Sequence, residues 1–139
     1  MSRPRKPRAS CPICDKEVVN IRSRFCSNSC QMEQQYRNYL ALWKAGLETG
    51  NKGEKIPQVS KHVRRFLRDK YGDKCSKCGW AQRNQYNHII HLTVEHRDGN
   101  WRNTVEENLD LLCPNCHTLT STYGILNKGH GRTYRHKGP

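Results

Sequence analysis

Four cysteines, two histidines and a glutamate in the second half of the chain have the types and spacing of metal and acid–base chemistry. Glu95-His96 lies between two cysteine pairs, and His117 follows the last cysteine directly. Four thiols in two such close pairs are typical of a tetrahedral zinc site. These residues predict a metal site and a base held beside a structural zinc. The zinc ligands would be Cys75, Cys78, Cys113 and Cys116.

A second set of four cysteines near the start of the chain has the spacing of a zinc ribbon. A closed four-cysteine site has no open coordination position, so its role would be structural. Close pairing, and the absence of an apolar signal segment after the basic first residues, favour zinc over disulfides and a cytoplasmic, reducing compartment. Pairing across the two sets is disfavoured because each half supplies a complete set. The ligands would be Cys11, Cys14, Cys26 and Cys30.

The composition limits the core and indicates a polyanionic partner. Only 34% of the 139 residues are hydrophobic, and a chain this short and polar cannot bury a large apolar core. Metal cross-links would offset that deficit, since the free energy of metal binding becomes folding free energy. The 25 Lys and Arg residues exceed the 12 Asp and Glu residues, for a formal charge of +13. Such a charge attracts nucleic acid, and no apolar run has the length of a membrane span.

Apolar residues at helical spacing predict a helix after the ribbon. Ser27 or Asn28 would cap it, and Gly46 or Gly50 would end it. Its aromatic residues could be imagined stacking on bases, but we interpret them as a packing face. The face comprises Met32, Tyr36, Tyr39, Leu40, Trp43 and Leu47.

A second helix is predicted over about residues 61–70, between a Ser60 cap and Gly72. Val63, Phe66 and Leu67 form its apolar stripe. The opposite face carries more positive charge than solubility requires, so we interpret it as a phosphate-contacting surface. Its basic residues include Lys61, Arg64, Arg65 and Arg68.

The stretch CSKCGW, followed by EHRDGN and LLCPNCH with Asn108 between the last two, resembles the HNH endonucleases. It is close to the small phage-encoded and homing versions that carry an N-terminal zinc ribbon. The resemblance covers roughly the second half of the chain. Many members have Asp before the first histidine, where this chain has Glu95, but glutamate can ligate the same metals.

The resemblance implies a small, zinc-stabilised α+β protein, with a zinc ribbon and helix followed by a ββα-metal nuclease core. A strand at Leu92–Val94 would run into Glu95-His96, and a second strand at 109–113 would lead to a helix near Pro114. The predicted organisation is a basic arm, a ribbon with its helix, a linker, the nuclease domain and a basic tail. Their ranges are 1–10, 11–47, 48–58, 59–126 and 127–139.

The function that the resemblance implies is metal-dependent cleavage of double-stranded DNA. His96 would accept a proton from water, and Asn108 would brace the loop that orients it. Glu95 and His117 would hold one divalent ion, Mg²⁺ or Mn²⁺, in addition to two structural zinc ions. Alternatively, His117 could be a zinc ligand. Further predicted DNA contacts are Arg97, Arg102, Lys128, Arg132 and Arg135.

Two other functions fit the charge and the cysteines. A zinc-stabilised DNA-binding or regulatory protein would need both, without catalysis, and an RNA-binding zinc ribbon would need exposed aromatic platforms as well. Only Glu95, His96, Asn108 and His117 favour the nuclease. One core has one site, so we expect a monomer that nicks DNA, with a dimer as the alternative, in a bacterial or phage-infected cell.

Overall fold

The computed structural model describes residues 4–127, so the predicted contacts Lys128, Arg132 and Arg135 lie outside the described part of the chain. The protein is a small α+β structure that divides into two compact units. One unit ends at Ala41 and the other begins at Leu42. None of the helices within the described range is long and apolar enough to cross a membrane.

In the first unit the chain turns tightly around Cys11, which is fully buried. The Cys11 amide donates to the Lys16 carbonyl at 2.8 Å, and the Asp15 amide donates to the Cys11 carbonyl at 2.9 Å. An antiparallel bridge joins Ser10 to Glu17 across the turn. These bonds close the knuckle that the first cysteine pair predicts.

Helix α1 spans Asn28–Lys44 and begins where its sequence predicted. The Ser27 hydroxyl accepts a hydrogen bond from the Cys30 amide at 3.3 Å. Ser27 is therefore the residue that caps the helix, and the alternative cap, Asn28, is its first residue.

The apolar face predicted for α1 is correct only in part. Tyr36 and Trp43 are buried, whereas Met32 is 58% exposed and Leu47 is 74% exposed. Leu47 lies beyond the end of the helix, because Gly46 takes a left-handed φ of +76° and turns the chain out of helical register. The helical period therefore stops applying before Leu47.

The segment 48–58, which its composition predicted to be a linker, contains a β-hairpin. Strands β1 (Asn51–Gly53) and β2 (Ile56–Val59) pair antiparallel. Val59 is 5% exposed, so one end of the hairpin packs into the fold. Composition alone misses such a hairpin, because glycine and charged residues also occupy strands whose outer face is in water.

Helix α2 spans Lys61–Tyr71 and has both predicted termini. The Ser60 hydroxyl accepts from the Val63 amide at 3.2 Å, and Gly72 ends the helix with a φ of +68°. Val63 and Leu67 are fully buried. The apolar stripe thus faces the core and leaves the basic face outside.

Strands β3 (Thr93–His96) and β4 (Leu109–Leu112) pair antiparallel, with Glu95 opposite Asp110. Every residue of β4 is buried, and α2 packs against this strand. The loop between the strands is the polar segment 97–108. The site residues are therefore placed at the end of a strand whose partner forms the centre of the core.

Helix α3 spans Pro114–Thr118 and follows β4 almost directly. The Cys113 side chain caps it by accepting from the Cys116 amide, and Pro114 occupies the first turn, where a missing N–H costs least. The helix contacts both β3 and β4. It ends at Thr118, so His117 lies in its last turn.

Candidate active site

The two cysteine sets form two separate sulfur clusters. In each cluster the four Sγ atoms lie within 4.8 Å of one another, and all eight cysteines are free. Neighbouring sulfurs of the first cluster are 3.4–3.7 Å apart, far beyond a disulfide bond of about 2.0 Å. This spacing suits sulfurs arranged around one ion at about 2.3 Å from each. Both clusters could therefore hold zinc, and the cysteines do not pair across the two sets.

The thiols of the second cluster differ widely in pKa. Burial raises the pKa of the Cys75 thiol, but hydrogen bonds with the backbone groups of Cys113, Cys78 and Lys77 lower it by more. The net pKa of Cys75 is about 6. The sulfurs of Cys113 and Cys78, together with burial, raise the pKa of Cys116 to about 12. Four thiolates this close need a cation among them to be ionised together.

Strand β3 and helix α3 bring Glu95 and His117 together. His117 Nδ1 lies 2.7 Å from Glu95 Oε2, yet this buried nitrogen makes no hydrogen bond of acceptable geometry. The Thr122 hydroxyl donates to the other carboxylate oxygen, Oε1, at 2.8 Å. A buried imidazole nitrogen facing a carboxylate oxygen fits the ligand set of a divalent cation.

His117 takes no part in the sulfur cluster, although Cys116 precedes it. The cluster contains cysteines only, and the His117 ring packs edge-on against Tyr123 with centroids 5.2 Å apart. Neighbouring side chains on a helix diverge by about 100°. The Cys116 side chain therefore belongs to the sulfur cluster, while the His117 side chain faces Glu95 of strand β3.

His96, the next residue after Glu95, is half-buried at the end of β3. Its Nε2 atom lies 2.9 Å from the Thr104 hydroxyl oxygen. Burial lowers the pKa of His96, and the nearby charges of Asp98 and Glu95 only partly oppose that effect. The ring is therefore neutral near pH 7, which is the form that can accept a proton.

Asn108 braces the loop between the two strands. Its Nδ2 donates to Asp98 Oδ1 at 2.9 Å and to the Asn103 carbonyl at 2.7 Å, and its Oδ1 accepts from the Asp98 amide at 3.1 Å. The Asp98 carboxylate also accepts from the Asn103 side chain at 2.7 Å. All three Asn108 contacts are to the loop, which begins at the residue after His96.

Three of the predicted site residues line one groove. Glu95, His96 and His117 line it together with Gln58 from β2 and Arg64 from α2. Its volume of about 560 Å³ is within the range of small-ligand sites. Within residues 4–127, the exposed Arg64 has no carboxylate partner. The groove therefore combines two metal-ligand types, a neutral imidazole and an uncompensated positive charge.

Two of the predicted phosphate contacts already form ion pairs with carboxylates of the described chain. Arg68 pairs with Asp73 and donates to the Ile90 carbonyl at 2.9 Å. Arg97 forms two hydrogen bonds, of 2.7 and 3.0 Å, with the buried carboxylate of Asp110. Arg97 thus neutralises a carboxylate that folding buries, and no local sequence pattern predicts which residue does so.

The remaining predicted contacts are exposed. Arg65 Nε lies 3.8 Å from Asp69, a weak surface pair. Arg102 lies over the Trp101 ring at 4.2 Å from its centroid, beside the groove that Trp101 lines. Lys61 is exposed at the start of α2. All three side chains lie at the surface, where a polyanion can reach them.

Sequence reasoning did not find three of the polar residues at this site. Thr104 contacts His96, Asn51 contacts Thr104 at 2.8 Å, and Thr122 contacts Glu95. Each is a common polar residue in a turn or loop, with no spacing signal that relates it to its partner. Only the packing of the hairpin and the loops brings them into contact.

The fold and the site define a small α+β protein with two cysteine clusters that could hold metal ions and a carboxylate–imidazole pair. Comparisons with known proteins add a family resemblance to this description. Residues 75–122 match the family model described as HNH endonuclease. This match confirms, for this segment, the resemblance to the HNH endonucleases.

The H-N-H endonuclease F-TflIV of Escherichia phage T5 is 46% identical to this chain over 59 residues. The aligned part is 40% of this chain and 24% of the relative, so the chain spans about a quarter of that protein's length. No solved structure matches the chain at a significant level.

Proposed function

We propose that the chain is a metal-dependent DNA endonuclease and that β3, β4 and α3 are its ββα-metal core. The observation that carries the proposal is the approach of His117 Nδ1 to Glu95 Oε2, 2.7 Å apart, in the groove that His96 also lines. The match of this segment to the HNH family supports the same chemistry. A purely DNA-binding protein has no need of this group of side chains.

The proposed metals are two structural zinc ions, one in each cysteine cluster, and one divalent ion, Mg²⁺ or Mn²⁺, held by Glu95 and His117. When bound, the divalent ion supplies positive charge to the scissile phosphate and to the leaving oxygen. Thr122 holds Glu95 Oε1, which leaves Oε2 for the ion. The orphaned Nδ1 of His117 is the second ligand.

His96 is the proposed general base. A water oxygen attacks the phosphorus while the imidazole takes one of its protons, and the bond from phosphorus to the 3′ oxygen breaks. The 3′ oxygen leaves with the electron pair of that bond and takes a proton from solvent, so the products are a 5′-phosphate and a 3′-hydroxyl group. Because Thr104 contacts Nε2 of the ring, Nδ1 is the nitrogen left to receive the proton.

Double-stranded DNA is the proposed substrate. The formal charge of +13 draws a polyanion towards the chain, and Arg64 places one unpaired positive charge in the groove itself. In the described part of the N-terminal unit, no base lies beside open metal ligands, so the proposed contribution of this unit is affinity and choice of site.

The test is cleavage of supercoiled plasmid by the full chain with Mg²⁺ or Mn²⁺, compared with His96→Ala. We expect the variant to fold, retain its zinc and bind DNA. It should cut about 10²-fold to 10⁴-fold more slowly, which is the rate enhancement that a general base usually contributes. Glu95→Ala should also lose cutting, with partial recovery at high metal concentration, because it removes a ligand. If the wild-type chain leaves plasmid intact with every metal, the chain is a DNA-binding protein instead.

The order of products tests whether the site acts alone. One core with one site should convert supercoiled plasmid to nicked circles before any linear DNA appears. Linear DNA formed with no nicked intermediate would show two sites acting together, and therefore a dimer on the DNA.

A further inference from the structure

The imidazole of His96 is held by a buried polar network that reaches outside the segment matching the HNH family. Thr104 Oγ1 lies 2.9 Å from His96 Nε2, 2.8 Å from Asn51 Oδ1 and 3.0 Å from the Trp101 carbonyl oxygen. Thr104 and Asn51 are 2% and 7% exposed. Asn51 comes from strand β1, well before residue 75, where the family match begins.

The amide of Asn51 can take only one orientation in this network. Its Nδ2 donates to the Trp101 carbonyl oxygen at 3.1 Å. Turning the amide over would place Oδ1 against that carbonyl, and two acceptors would then face each other. Oδ1 therefore faces the Thr104 hydroxyl.

The hydroxyl of Thr104 has one proton for three neighbours. The carbonyl oxygens of Asn51 and Trp101 can only accept, so the proton goes to that side. The Thr104 oxygen then presents a lone pair to His96, and Nε2 must carry a hydrogen to donate to it. The neutral imidazole is consequently the Nε2–H tautomer, with Nδ1 bare.

The backbone holds Thr104 in place for this role. The Trp43 indole N–H donates to the Thr104 carbonyl oxygen at 2.7 Å. Gly50, with a φ of +82°, lies so close that a Cβ atom there would meet Thr104 Cγ2 and Trp43 Nε1 at 2.7 Å. This hydrogen bond and the close approach of Gly50 restrain Thr104 beside His96.

We propose that Asn51 and Thr104 are positioning residues for His96: they fix its ring in the Nε2–H tautomer and so direct the bare Nδ1 to the attacking water. The proposal rests on the proposed function for the role of His96, but the state of the ring is a property of the protein without DNA. The hairpin β1–β2 is then part of the nuclease machinery, not a connection that leads to it.

The kinetic test compares Thr104→Val, which keeps the shape and removes the hydroxyl, with Thr104→Ser, which keeps the hydroxyl. With the full chain on a DNA duplex, we expect Thr104→Val to lower the single-turnover cleavage rate about 10-fold to 100-fold, since small misplacements of a reacting group cost this much. The Kd for DNA should stay unchanged, and Thr104→Ser should cut nearly as fast as the wild type. A serine variant as slow as the valine variant would overturn the proposal.

Asn51→Ala is the second variant, in case Thr104→Val fails to fold. It leaves Thr104 in contact with His96 but removes the acceptor at 2.8 Å, while the Trp101 carbonyl at 3.0 Å remains. We expect a smaller loss of rate than with Thr104→Val, again without loss of DNA affinity. A rate equal to that of the wild type would exclude Asn51 from the network.

The spectroscopic test needs no cleavage. Long-range ¹H–¹⁵N correlation spectra of the zinc-loaded full chain, without DNA or added Mg²⁺, report which nitrogen of His96 carries the proton. We expect Nε2–H in the wild type and in Thr104→Ser, and loss of that preference in Thr104→Val. An Nδ1–H signal in the wild type would overturn the network. A chain that cuts nothing would refute the proposed function, and the spectra would still decide the tautomer.

Discussion

The Trp43 indole nitrogen lies 2.7 Å from the Thr104 carbonyl oxygen and donates its hydrogen to it. Trp43 is 5% exposed and packs edge-on against Phe66 of α2, with centroids 5.5 Å apart. The last turn of α1 is thus joined both to the basic helix and to the loop behind His96. The unit that holds the site therefore begins well before the segment that matches the HNH family.

Trp43→Phe tests this connection. The substitution keeps an aromatic ring and removes the donor, so the buried Thr104 carbonyl loses its partner. We expect the free energy of unfolding to fall by about 1–3 kcal/mol, measured by urea denaturation of the zinc-loaded protein. Trp80→Phe is the matched control, because Trp80 packs against the second cysteine cluster and its indole makes no hydrogen bond in the described chain. Equal losses in the two variants would mean that the bond adds nothing beyond packing.

Thr122→Val tests how Glu95, the proposed metal-binding carboxylate, is oriented. The Thr122 hydroxyl holds Glu95 Oε1 at 2.8 Å, and partners of metal ligands commonly change metal affinity about 10-fold to 100-fold. We expect weaker Mn²⁺ binding by calorimetry in Thr122→Val, near-normal binding in Thr122→Ser, and unchanged zinc content in both. Normal Mn²⁺ affinity in the valine variant would show that Glu95 needs no such support.

Arg64 and Arg68 lie one helical turn apart on α2 and should behave differently. Arg64 lines the groove, so Arg64→Gln should weaken DNA binding and lower the slope of log K against log salt by about 1, with little effect on folding. Arg68 pairs with Asp73 and the Ile90 carbonyl, so Arg68→Gln should chiefly lower the free energy of unfolding. Filter binding over a salt series and urea denaturation separate the two effects. The assignment fails if the two variants show the same pattern.

Asp98 makes the stability of the site loop depend on pH. Partial desolvation raises the pKa of the Asp98 carboxyl, but hydrogen bonds from Asn103, Asn108 and the Asn100 amide lower it by more. The net pKa therefore lies below the ordinary value of 3.8. A folded-state pKa below the unfolded value means that the charged form stabilises the fold above that pH, and that this stability is lost as the pH falls through the folded pKa.

Asp98→Asn keeps the size of the side chain and removes its charge. We expect the variant to be less stable than the wild type at pH 7, by a small amount because Asp98 is exposed, and the difference should shrink between about pH 5 and pH 3. Chemical denaturation at a series of pH values measures it. A difference that grows as the pH falls would contradict the direction of the pKa shift.

The sequence by itself determined the parts of this protein that local rules govern. Cysteine spacing places two sulfurs on one tight turn, so both clusters could be predicted. Ser60 and Gly72 mark the ends of α2 because capping needs only neighbouring residues. The motif residues Glu95, His96 and His117 were found in the same way, and they do line one groove.

Only the tertiary structure decided which distant residues meet. The bond from Thr104 to Asn51, and the pairing of Arg97 with Asp110, join parts of the chain that no periodic pattern relates. The hairpin at 51–59 looked like a linker because its residues are polar, yet its end packs against the site loop. The physical reason is that a buried hydroxyl, amide or carboxylate must find a partner wherever the core brings one near. That partner is set by the packing of whole elements, which a single sequence does not display.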